Sequence, residues 1–595
     1  MRIRRVIGSA VTAAAVATTV LVTGAVDQPD RSTSADVVPV SAATPGAEDV
    51  IVHLFQWPWA SVASECTNVL GPKGFGGVQV SPPQEHVVLP GAGYPWWQDY
   101  QPVSYRIESR RGDRAAFAAM VQTCHAAGVK IYVDAIVNHM AGGASTGPGS
   151  DGSTYSHYSY PAVPYGSGDF HYCGRNGNND IANFDDRWEV QNCELVDLSD
   201  LRTETSYVRG KLTGYLNDLV SLGVDGFRID AAKHLPAADL AAIVDPVAGD
   251  PYVYSEVIEG GGGAPTPEEY AGIGDVTEFR YGQTVGSAFK NGNLSNLVNL
   301  ASSMRLSSGD AVAFVDNHDT QRNGGAVLTY KDGTPHELAA AFMIAWPYGV
   351  PQVMSSFTFS NPESSPPTAP DGTTNAVTCG NGWECEHRDR TTANMVALRN
   401  TAAGESVTNW WSNGSNQIAF GRGDAAYVAF NRSGSPLTRT FQTSLPAGTY
   451  CDVMAGDVSG TTCSGPVYTV NGSGQVTATV PANGALALHV GATATPGSCT
   501  TVTTTFEVNA TTYWGQNVFV VGNTAALGNW NPAAAVPLSA ATYPVWKGSA
   551  ALPANTTVEY KYIKKDGGQV VWESDPNRSR STAGSCTLTW SDTWR

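Results

Sequence analysis

Basic residues are scarce in this chain of 595 residues. Lysine and arginine together number 35, against 53 aspartates and glutamates, so the formal net charge is −18. Nucleic acids and anionic membrane surfaces are bound through clustered basic residues, so the composition argues against both kinds of partner. No Cys-x-x-Cys pair occurs, which argues against a thiolate zinc site. Beyond the N-terminus, no apolar run is long enough to span a bilayer.

The N-terminal segment has the pattern of a secretory signal peptide. In MRIRRVIGSAVTAAAVATTVLVTGA a basic start precedes an apolar run and small residues. Thr and Ser interrupt the run, which favours a cleaved signal over a membrane anchor. We expect residues 1–25 to be the signal peptide, with cleavage near Ala25 or Ala43, and 26–47 to be a pro-region or disordered lead-in. The sequence therefore predicts a secreted, extracellular protein, and we expect a monomer.

The ten cysteines are an even number in a chain with a secretory pattern, so disulfides are their expected use. Sequence alone does not fix which residues pair. The candidate pairs, from the closest in sequence to the most distant, are Cys379–Cys385, Cys451–Cys463, Cys173–Cys193, Cys66–Cys124 and Cys499–Cys586.

The chain divides into segments of different periodicity. Residues 48–400 alternate short β-rich runs with stretches of helical spacing, which predicts an α/β fold with a parallel (β/α)8 TIM barrel. Within them, residues 140–200 are too long for a simple connection, so we interpret them as an inserted subdomain. Residues 401–490 predict an antiparallel β domain, 491–498 a linker, and 499–595 a further β-rich domain.

Two charged residues interrupt an apolar strand in GVDGFRIDAAKH, residues 223–234. Side chains alternate across a strand, so Arg228 and Asp230 share one face while Phe227 and Ile229 share the other. In a barrel the apolar pair would pack against helices, and the charged pair would point into the mouth, where barrel enzymes keep their active sites. Taken alone, this pair is equally compatible with a structural ion pair.

Other strands end in similar chemistry. The polar residues inside or just after these strands are Asp134, Asn138, His139, Glu256, His318 and Asp319. Each could be structural by itself, but a cluster of titratable groups at one barrel mouth indicates an active site. Two neighbouring carboxylates can hydrolyse a glycosidic bond, one as nucleophile and one as proton donor. We expect Arg228 to keep Asp230 ionised, and burial to raise the pKa of the acid.

The stretches DAIVNH, GFRIDAAKH, EVI and FVDNHD resemble, in order and spacing, the four signature regions of the α-amylase family of glycoside hydrolases. VHLFQW, YPWWQDYQPVSY and PYGVPQVMSS extend the likeness to enzymes of animals and actinobacteria, over about residues 48–490. The resemblance implies the barrel, the inserted subdomain B and a C-terminal β-sandwich. It also implies endo-hydrolysis of α-1,4-glucosidic bonds in starch and glycogen, with retention of anomeric configuration through a covalent glycosyl-enzyme intermediate.

By motif, the resemblance makes Asp230 the nucleophile, Glu256 the general acid/base and Asp319 a third carboxylate that helps distort and hold the sugar. It implies that the substrate contacts lie at His139, Arg228, His318, Trp96, Trp97, Tyr100, Gln101, Lys233 and His234.

The resemblance also implies a calcium ion between barrel and insertion, which prefers oxygen ligands. The implied ligands are Asn138, Asp200 and the carbonyls of Gln191 and His234, with Asp197 as the alternative to Asp200. Animal-type relatives often bind chloride through an arginine, an asparagine and a second basic residue. The matching positions here are Arg228, Asn317 and Gln352. Because a neutral amide adds no charge, we predict weak or absent chloride dependence.

The last domain resembles the starch-binding domain attached to many glucoamylases and amylases, in ATTYWGQNVFVVGN, LGNW, EYKYI, VVWESDPNR and SDTWR. It contains six of the fifteen tryptophans, more than a core of its size needs. The resemblance implies one sugar site at Trp530, Lys561, Trp572 and Asn577, and a second at Trp514, Tyr543 and Trp546. We expect Trp590 and Trp594 to belong to the core.

Two alternatives remain at this point. One is an exo-acting maltooligosaccharide-forming enzyme or a transglycosylase of the same family. The other is a non-catalytic glucan-binding protein, which is disfavoured because all three carboxylates are present.

Overall fold

The computed structural model describes residues 48–143, 147–494, 501–554, 556–582 and 586–595. The predicted signal peptide and lead-in, residues 495–498 of the predicted linker, and Cys499 lie outside the described residues. Among the helices in the described ranges, none combines the length and the apolar character that crossing a membrane requires.

Eight short parallel strands close into a barrel in which each strand pairs with its neighbours along the chain, and the last pairs with the first. The strands are Ile51–Leu54 (β1), Gly77–Val80 (β2), Lys130–Ala135 (β3), Gly226–Ile229 (β4), Tyr252–Ser255 (β5), Asp275–Glu278 (β6), Ala311–Ala313 (β7) and Val350–Ser355 (β8).

Helices follow most of these strands, as the alternating sequence pattern predicts. The longer ones are Trp59–Glu65 (α1), Arg114–Ala126 (α2), Ser206–Ser221 (α3), Ala237–Val244 (α4), Phe279–Lys290 (α5), Thr334–Ala345 (α6) and Arg390–Thr401 (α7). Side-chain caps fix where α2 and α3 begin, because Asp113 and Thr205 accept hydrogen bonds from their first turns. Between β5 and β6 the chain forms only the 3-10 turn Pro267–Glu269.

The alternation predicted for β4 is confirmed. Phe227 and Ile229 are fully buried in the main hydrophobic core, whereas Arg228 stands in register with Asp134 of β3 and Tyr254 of β5. Residues level with each other on neighbouring barrel strands point to the same side, so Arg228 points into the barrel. An apolar cluster of Ile51, Tyr132, Tyr254 and Val312 fills the barrel interior below it.

The insertion after β3 contains little regular structure. Its two short ladders pair His139–Gly142 with Leu198–Asp200, and Gly147–Pro148 with Thr154–Tyr155. One short helix, Arg187–Val190, and the 3-10 turn Ser167–Asp169 complete it. The first of these ladders attaches the insertion to the end of β3, close to the barrel mouth.

A two-sheet domain follows α7, as predicted. Its strands are Val407–Ser412 (β9), Gln417–Arg422 (β10), Ala426–Asn431 (β11), Leu437–Gln442 (β12), Gly448–Cys451 (β13), Val467–Val470 (β14), Gln475–Val480 (β15) and Gly484–His489 (β16). One sheet has the order β9-β10-β11-β16 and the other β12-β15-β14-β13.

The C-terminal domain is a second two-sheet structure. Its strands are Thr501–Asn509 (β17), Asn517–Gly522 (β18), Val536–Pro537 (β19), Ser539–Thr542 (β20), Val545–Pro553 (β21), Thr557–Asp566 (β22), Gln569–Trp572 (β23), Arg578–Ser581 (β24) and Thr587–Thr593 (β25). The sheets have the orders β20-β21-β17-β25 and β19-β18-β22-β23, with β24 paired to β22.

Four of the five predicted disulfides are present: Cys66–Cys124, Cys173–Cys193, Cys379–Cys385 and Cys451–Cys463. The fifth includes Cys499, which lies outside the described residues.

Candidate active site

A cleft of about 360 Å³ opens at the C-terminal mouth of the barrel. The structure brings most of the predicted site residues to its walls, namely Trp96, Trp97, Tyr100, His139, Asp230, Lys233, His234, Glu256, His318 and Asp319. Gln101 is held to the insertion instead, because its side-chain oxygen accepts a hydrogen bond from the Gly142 amide at 3.1 Å. Glu256 directly follows β5, and Asp319 follows β7 after a short connection.

One buried guanidinium joins three carboxylates beneath this cleft. Arg228 Nη1 lies 2.6 Å from Asp134 Oδ1 and 2.6 Å from Asp230 Oδ1, while Nη2 lies 2.8 Å from Glu256 Oε1. Because the guanidinium is planar and rigid, it fixes these carboxylates relative to one another. Charge-assisted contacts of this length are strong in a water-poor site.

A single guanidinium, that of Arg228, contacts these three carboxylates, and its one positive charge cannot balance three negative charges. The pKa of Asp230 is raised to about 7, chiefly by burial and also by the charges of Glu256 and Asp319, against the opposing effect of Arg228. Burial also raises the pKa of Glu256 and of Asp319. Arg228 lowers the pKa of Asp230, as predicted, but burial and the neighbouring carboxylates outweigh this effect. Asp230, Glu256 and Asp319 therefore titrate as a coupled set.

The backbone after β4 helps to place Glu256. Ala231 adopts a left-handed conformation with φ of 50°, which is uncommon for a residue with a side chain. Its amide donates a hydrogen bond to Glu256 Oε2 at 3.0 Å. The turn therefore links the nucleophile candidate Asp230 directly to its partner carboxylate.

Asp134 is supported by a polar column inside the barrel. Its Oδ2 accepts hydrogen bonds from the Tyr100 hydroxyl at 2.9 Å and from Gln79 Nε2 at 3.0 Å. Gln79 Oε1 in turn accepts from the Tyr254 hydroxyl at 2.8 Å and from Gln352 Nε2 at 2.7 Å. The sequence interpretation missed Gln79, although a glutamine inside an apolar strand was a signal that could have found it.

Trp96, Trp97 and Tyr100 form an aromatic wall of the cleft, and both tryptophans are hydrogen-bonded to the loop after β8. The indole nitrogen of Trp96 donates to the Pro362 carbonyl at 2.8 Å, and that of Trp97 donates to the Glu363 carboxylate. Tyr100 stacks on His318 with ring centroids 5.4 Å apart. Both tryptophans are half-buried, with part of each ring left for a ligand.

The insertion and the segment after β5 supply an apolar wall that the sequence interpretation missed. It consists of Phe184, Leu195, Val196, Leu198 and Ile258. Phe184 and Val196 are exposed to 47% and 73%, which is unusual for apolar side chains unless they face a ligand. No local motif distinguishes these residues, since they meet the cleft only through the fold of the insertion.

The residues implied for calcium lie beside the barrel mouth. Asn138 and Asp200 are buried on adjoining segments, and the Asp200 amide is part of the strand that pairs with His139. The side-chain oxygen of Asn138 is buried without a hydrogen-bond partner. Burial raises the pKa of Asp200 to about 7, although His171 opposes this shift. An unpaired amide oxygen beside a buried carboxylate fits an oxygen-preferring cation.

The Asp197 carboxylate instead lies close to the side chains of His157 and Glu194. His234 and Gln191, whose carbonyls were implied as ligands, are also buried. The geometry thus favours Asp200 over Asp197 beside Asn138.

In the C-terminal domain, Trp530 and Trp572 have ring centroids 6.5 Å apart, and Trp572 is 40% exposed. The side chain of Trp514 is fully exposed to solvent, and that of Tyr543 is about half exposed. The predicted role of Trp546 is wrong, because this residue is 3% exposed and its indole donates to the Ala510 carbonyl. Trp590 is in the core as predicted, whereas Trp594 is only partly buried against it.

The other two residues of the first predicted sugar site differ in exposure. Lys561 is buried, and its ammonium group contacts Asp575 at 2.5 Å and the Glu573 carbonyl at 3.3 Å. Asn577 is exposed and donates to Glu559. Lys561 therefore supports the loop around Trp572 rather than offering a free ammonium group.

Three families match parts of the chain. Residues 78–251 match the catalytic domain of alpha amylase, 410–491 the C-terminal all-beta domain of alpha amylase, and 501–592 the starch binding domain. The alpha-amylase of Streptomyces violaceus is 52% identical over 569 residues, which cover 94% of this chain and 96% of that protein. The chain belongs to the α-amylase family.

Other similar proteins agree. The alpha-amylase of Tribolium castaneum is 48% identical over 467 residues, covering 74% of this chain and 94% of that protein. The crystal structure of alpha-amylase I from Eisenia fetida superposes with a TM-score of 0.71 at 41% identity, covering 76% of this chain and 99% of that one. This α-amylase-family enzyme therefore combines a catalytic barrel, an all-β domain and a starch-binding domain.

Replacing Asp134 by Asn tests the electrostatics of the buried cluster. Asp134 raises the pKa of Glu256, so its neutralisation should lower that pKa and free more of the Arg228 charge. A general acid must be protonated to act, so the alkaline limb of the kcat/KM profile should move down by about 1 pH unit. Asp218→Asn, at a surface pair with Arg114, serves as the control. An unmoved limb in the Asp134 variant would contradict this account.

Proposed function

We propose that this enzyme is a secreted, endo-acting α-amylase that hydrolyses α-1,4-glucosidic bonds in starch and related glucans with retention of configuration. The observation that carries the proposal is the contact of one guanidinium, that of Arg228, with both Asp230 and Glu256 at the cleft. Two carboxyl groups held close together are the arrangement that retaining glycosidases use.

In the first step, protonated Glu256 donates its proton to the glycosidic oxygen while Asp230 attacks the anomeric carbon. The bond from that carbon to the leaving oxygen breaks, and a glycosyl ester on Asp230 forms. Arg228 holds Oδ1 of Asp230, so we assign the attack to its other oxygen. The Ala231 amide and Arg228 hold the two oxygens of Glu256 in place for the transfer.

In the second step, Glu256 is ionised and takes a proton from a water molecule, whose oxygen attacks the anomeric carbon. The ester bond to Asp230 breaks, so the sugar leaves with its original configuration. Asp319 stands within hydrogen-bonding reach of Glu256, and we assign it to holding and distorting the reacting sugar. His139, His318 and Arg228 would line the same subsite, with Lys233 and His234 at the adjoining one.

We assign a structural calcium ion to Asn138, Asp200 and the carbonyls of Gln191 and His234. The buried unpaired oxygen of Asn138 and the buried Asp200 carboxylate support the assignment. Calcium there would tie the insertion to the barrel, because Asn138 ends the β3 segment while Asp200 belongs to the insertion. Calcium titration of Asp200→Asn tests it, with much weaker binding than in the unaltered enzyme as the expected result.

Endo attack distinguishes this proposal from an exo-acting or transglycosylating enzyme. The lining of the cleft includes Trp97, Phe184 and Ile258 besides the carboxylates, so aromatic and apolar surface is available to a glucan beyond the reacting groups. Chromatography of products from amylose decides between them. An early spread of long oligosaccharides supports endo attack, whereas a single short product from the start would contradict it.

Asp230→Asn and Glu256→Gln should each lower kcat on soluble starch by about 10³-fold or more, because each removes one of the two reacting groups. Glu259→Gln is the matched control, since Glu259 lies three residues beyond Glu256 in a surface pair with Arg280. Near-normal turnover in either active-site variant would show that the catalytic assignment is wrong.

We propose that the C-terminal domain docks the enzyme on granular starch through Trp530 and Trp572. Trp572→Ala should reduce adsorption to granules about 10-fold, because sugar rings stack on exposed aromatic faces. Its kcat/KM on soluble starch should stay unchanged. Tyr207→Ala, which removes an exposed aromatic ring of the catalytic part, should adsorb normally. Unchanged adsorption of the Trp572 variant would speak against this docking site.

We infer weak or absent chloride dependence. Gln352 Nε2 is used by Gln79 and the Tyr254 hydroxyl, and the amide brings no charge to an anion. In dialysed enzyme, added chloride should change kcat by less than about 2-fold. Gln352→Arg should increase the response. A large chloride activation of the unaltered enzyme would overturn this inference.

A further inference from the structure

A second group of metal-ligating side chains lies in the insertion, apart from the residues assigned to calcium. One ligand atom each from His157, Glu194 and Asp197 falls within 4.8 Å of the others. His157 Nε2 lies 3.0 Å from Glu194 Oε1. Glu194 and Asp197 lie on one turn of the insertion and His157 on another segment, and the Cys173–Cys193 disulfide lies next to Glu194.

The Glu194 carboxylate is the observation that points to a ligand. Its side chain is 0% exposed, and its Oε2 is buried with no hydrogen-bond partner of acceptable geometry. The Tyr158 hydroxyl lies close to this carboxylate but does not meet Oε2 with the geometry of a hydrogen bond. A buried carboxylate oxygen without a donor is costly. A cation beside it would satisfy that oxygen.

The other two side chains are held toward the same place. The His157 ring stacks on Tyr158 with centroids 3.6 Å apart, and a Cβ on Gly143 would lie 2.6 Å from His157 Nδ1. The ring is therefore confined with Nδ1 toward the Gly143 backbone and Nε2 toward Glu194. The Asp197 amide donates to Asp180 at 2.8 Å, which anchors the backbone that carries the third ligand.

We propose that His157, Glu194 and Asp197 form a second cation site, specific for a divalent transition metal of the zinc type. An imidazole with two carboxylates suits Zn²⁺, for which three protein ligands leave one position to water. Calcium prefers oxygen ligands alone, so the two sites of the insertion differ in selectivity. The proposal is independent of the catalytic assignment.

The site has a direct connection to the cleft. Leu195 and Val196 lie between Glu194 and Asp197 in the chain, and both line the cleft. Val196 and Asp197 both have left-handed backbone conformations, with φ of 47° and 69°. A metal bound by Glu194 and Asp197 would fix this turn from both ends, and with it the apolar wall that faces the glucan.

The test is isothermal titration calorimetry of the full-length enzyme with ZnCl₂. Bound metals are removed beforehand, and the enzyme is then saturated with Ca²⁺. We expect the unaltered enzyme to bind one more Zn²⁺ ion per molecule than the His157→Gln variant. If the variant still binds that ion, its affinity should be at least about 10-fold weaker. Glu194→Gln should behave like the His157 variant. His157 is 30% exposed, so its replacement by Gln leaves the core of the insertion intact.

Two matched variants separate this site from other surfaces. His125→Gln alters a histidine that pairs with Asp225 at 2.8 Å elsewhere, and it should bind Zn²⁺ as the unaltered enzyme does. Asp200→Asn should lose calcium affinity yet keep the Zn²⁺ site. Zn²⁺ should also raise the Tm of the unaltered enzyme more than that of His157→Gln. Equal Zn²⁺ stoichiometry and affinity in the unaltered enzyme, His157→Gln and Glu194→Gln would overturn the proposal.

Discussion

The guanidinium of Arg228 is the interaction on which the site depends. It is buried, and it contacts Asp134, Asp230 and Glu256 at 2.6 to 2.8 Å. Removing charges from water is costly, and one cation cannot compensate several carboxylates fully. Burial consequently raises the pKa of Asp134, Asp230 and Glu256 above their ordinary values. The same shortage of positive charge that makes the cluster costly to bury helps to raise the pKa of Glu256, which is the direction that a general acid requires.

This requirement extends down the barrel. Arg228 reaches Asp134 because both stand on inward-facing positions of paired strands, in register. Asp134 then needs donors for its second oxygen, which Tyr100 and Gln79 supply. Gln79 in turn accepts hydrogen bonds from the side chains of Gln352 and Tyr254. A hydrogen-bonded polar network therefore extends from the catalytic cluster into the barrel interior. Each of these inward residues is constrained by the one above it, so the chain of partners begins at the catalytic carboxylates and ends in the core.

The sequence predicts this part well because strands obey a strict two-residue alternation and parallel strands end at a common face. Arg228, Asp230 and Glu256 follow from those two rules, and the named roles came from motif resemblance. Properties that depend on packing did not follow. Trp546 was assigned to a sugar site by motif resemblance, but a motif does not show which ring faces inward, and this ring is buried. Phe184 and Val196 reach the cleft through an insertion with little regular structure. His157 and Glu194 are 37 positions apart, and no periodicity relates them.

The site is thus assembled from two kinds of scaffold. Asp230 and Glu256 directly follow barrel strands that each pair with a neighbouring strand on both sides. The apolar wall with Leu195 and Val196 is carried by the insertion, whose described ladders are only a few residues long. Short ladders supply few hydrogen bonds, so the insertion relies on cross-links such as Cys173–Cys193 and on groups that a cation can join. The groups that break the bond are then fixed by the fold itself. The apolar wall is fixed by local links within the insertion, such as the Cys173–Cys193 disulfide.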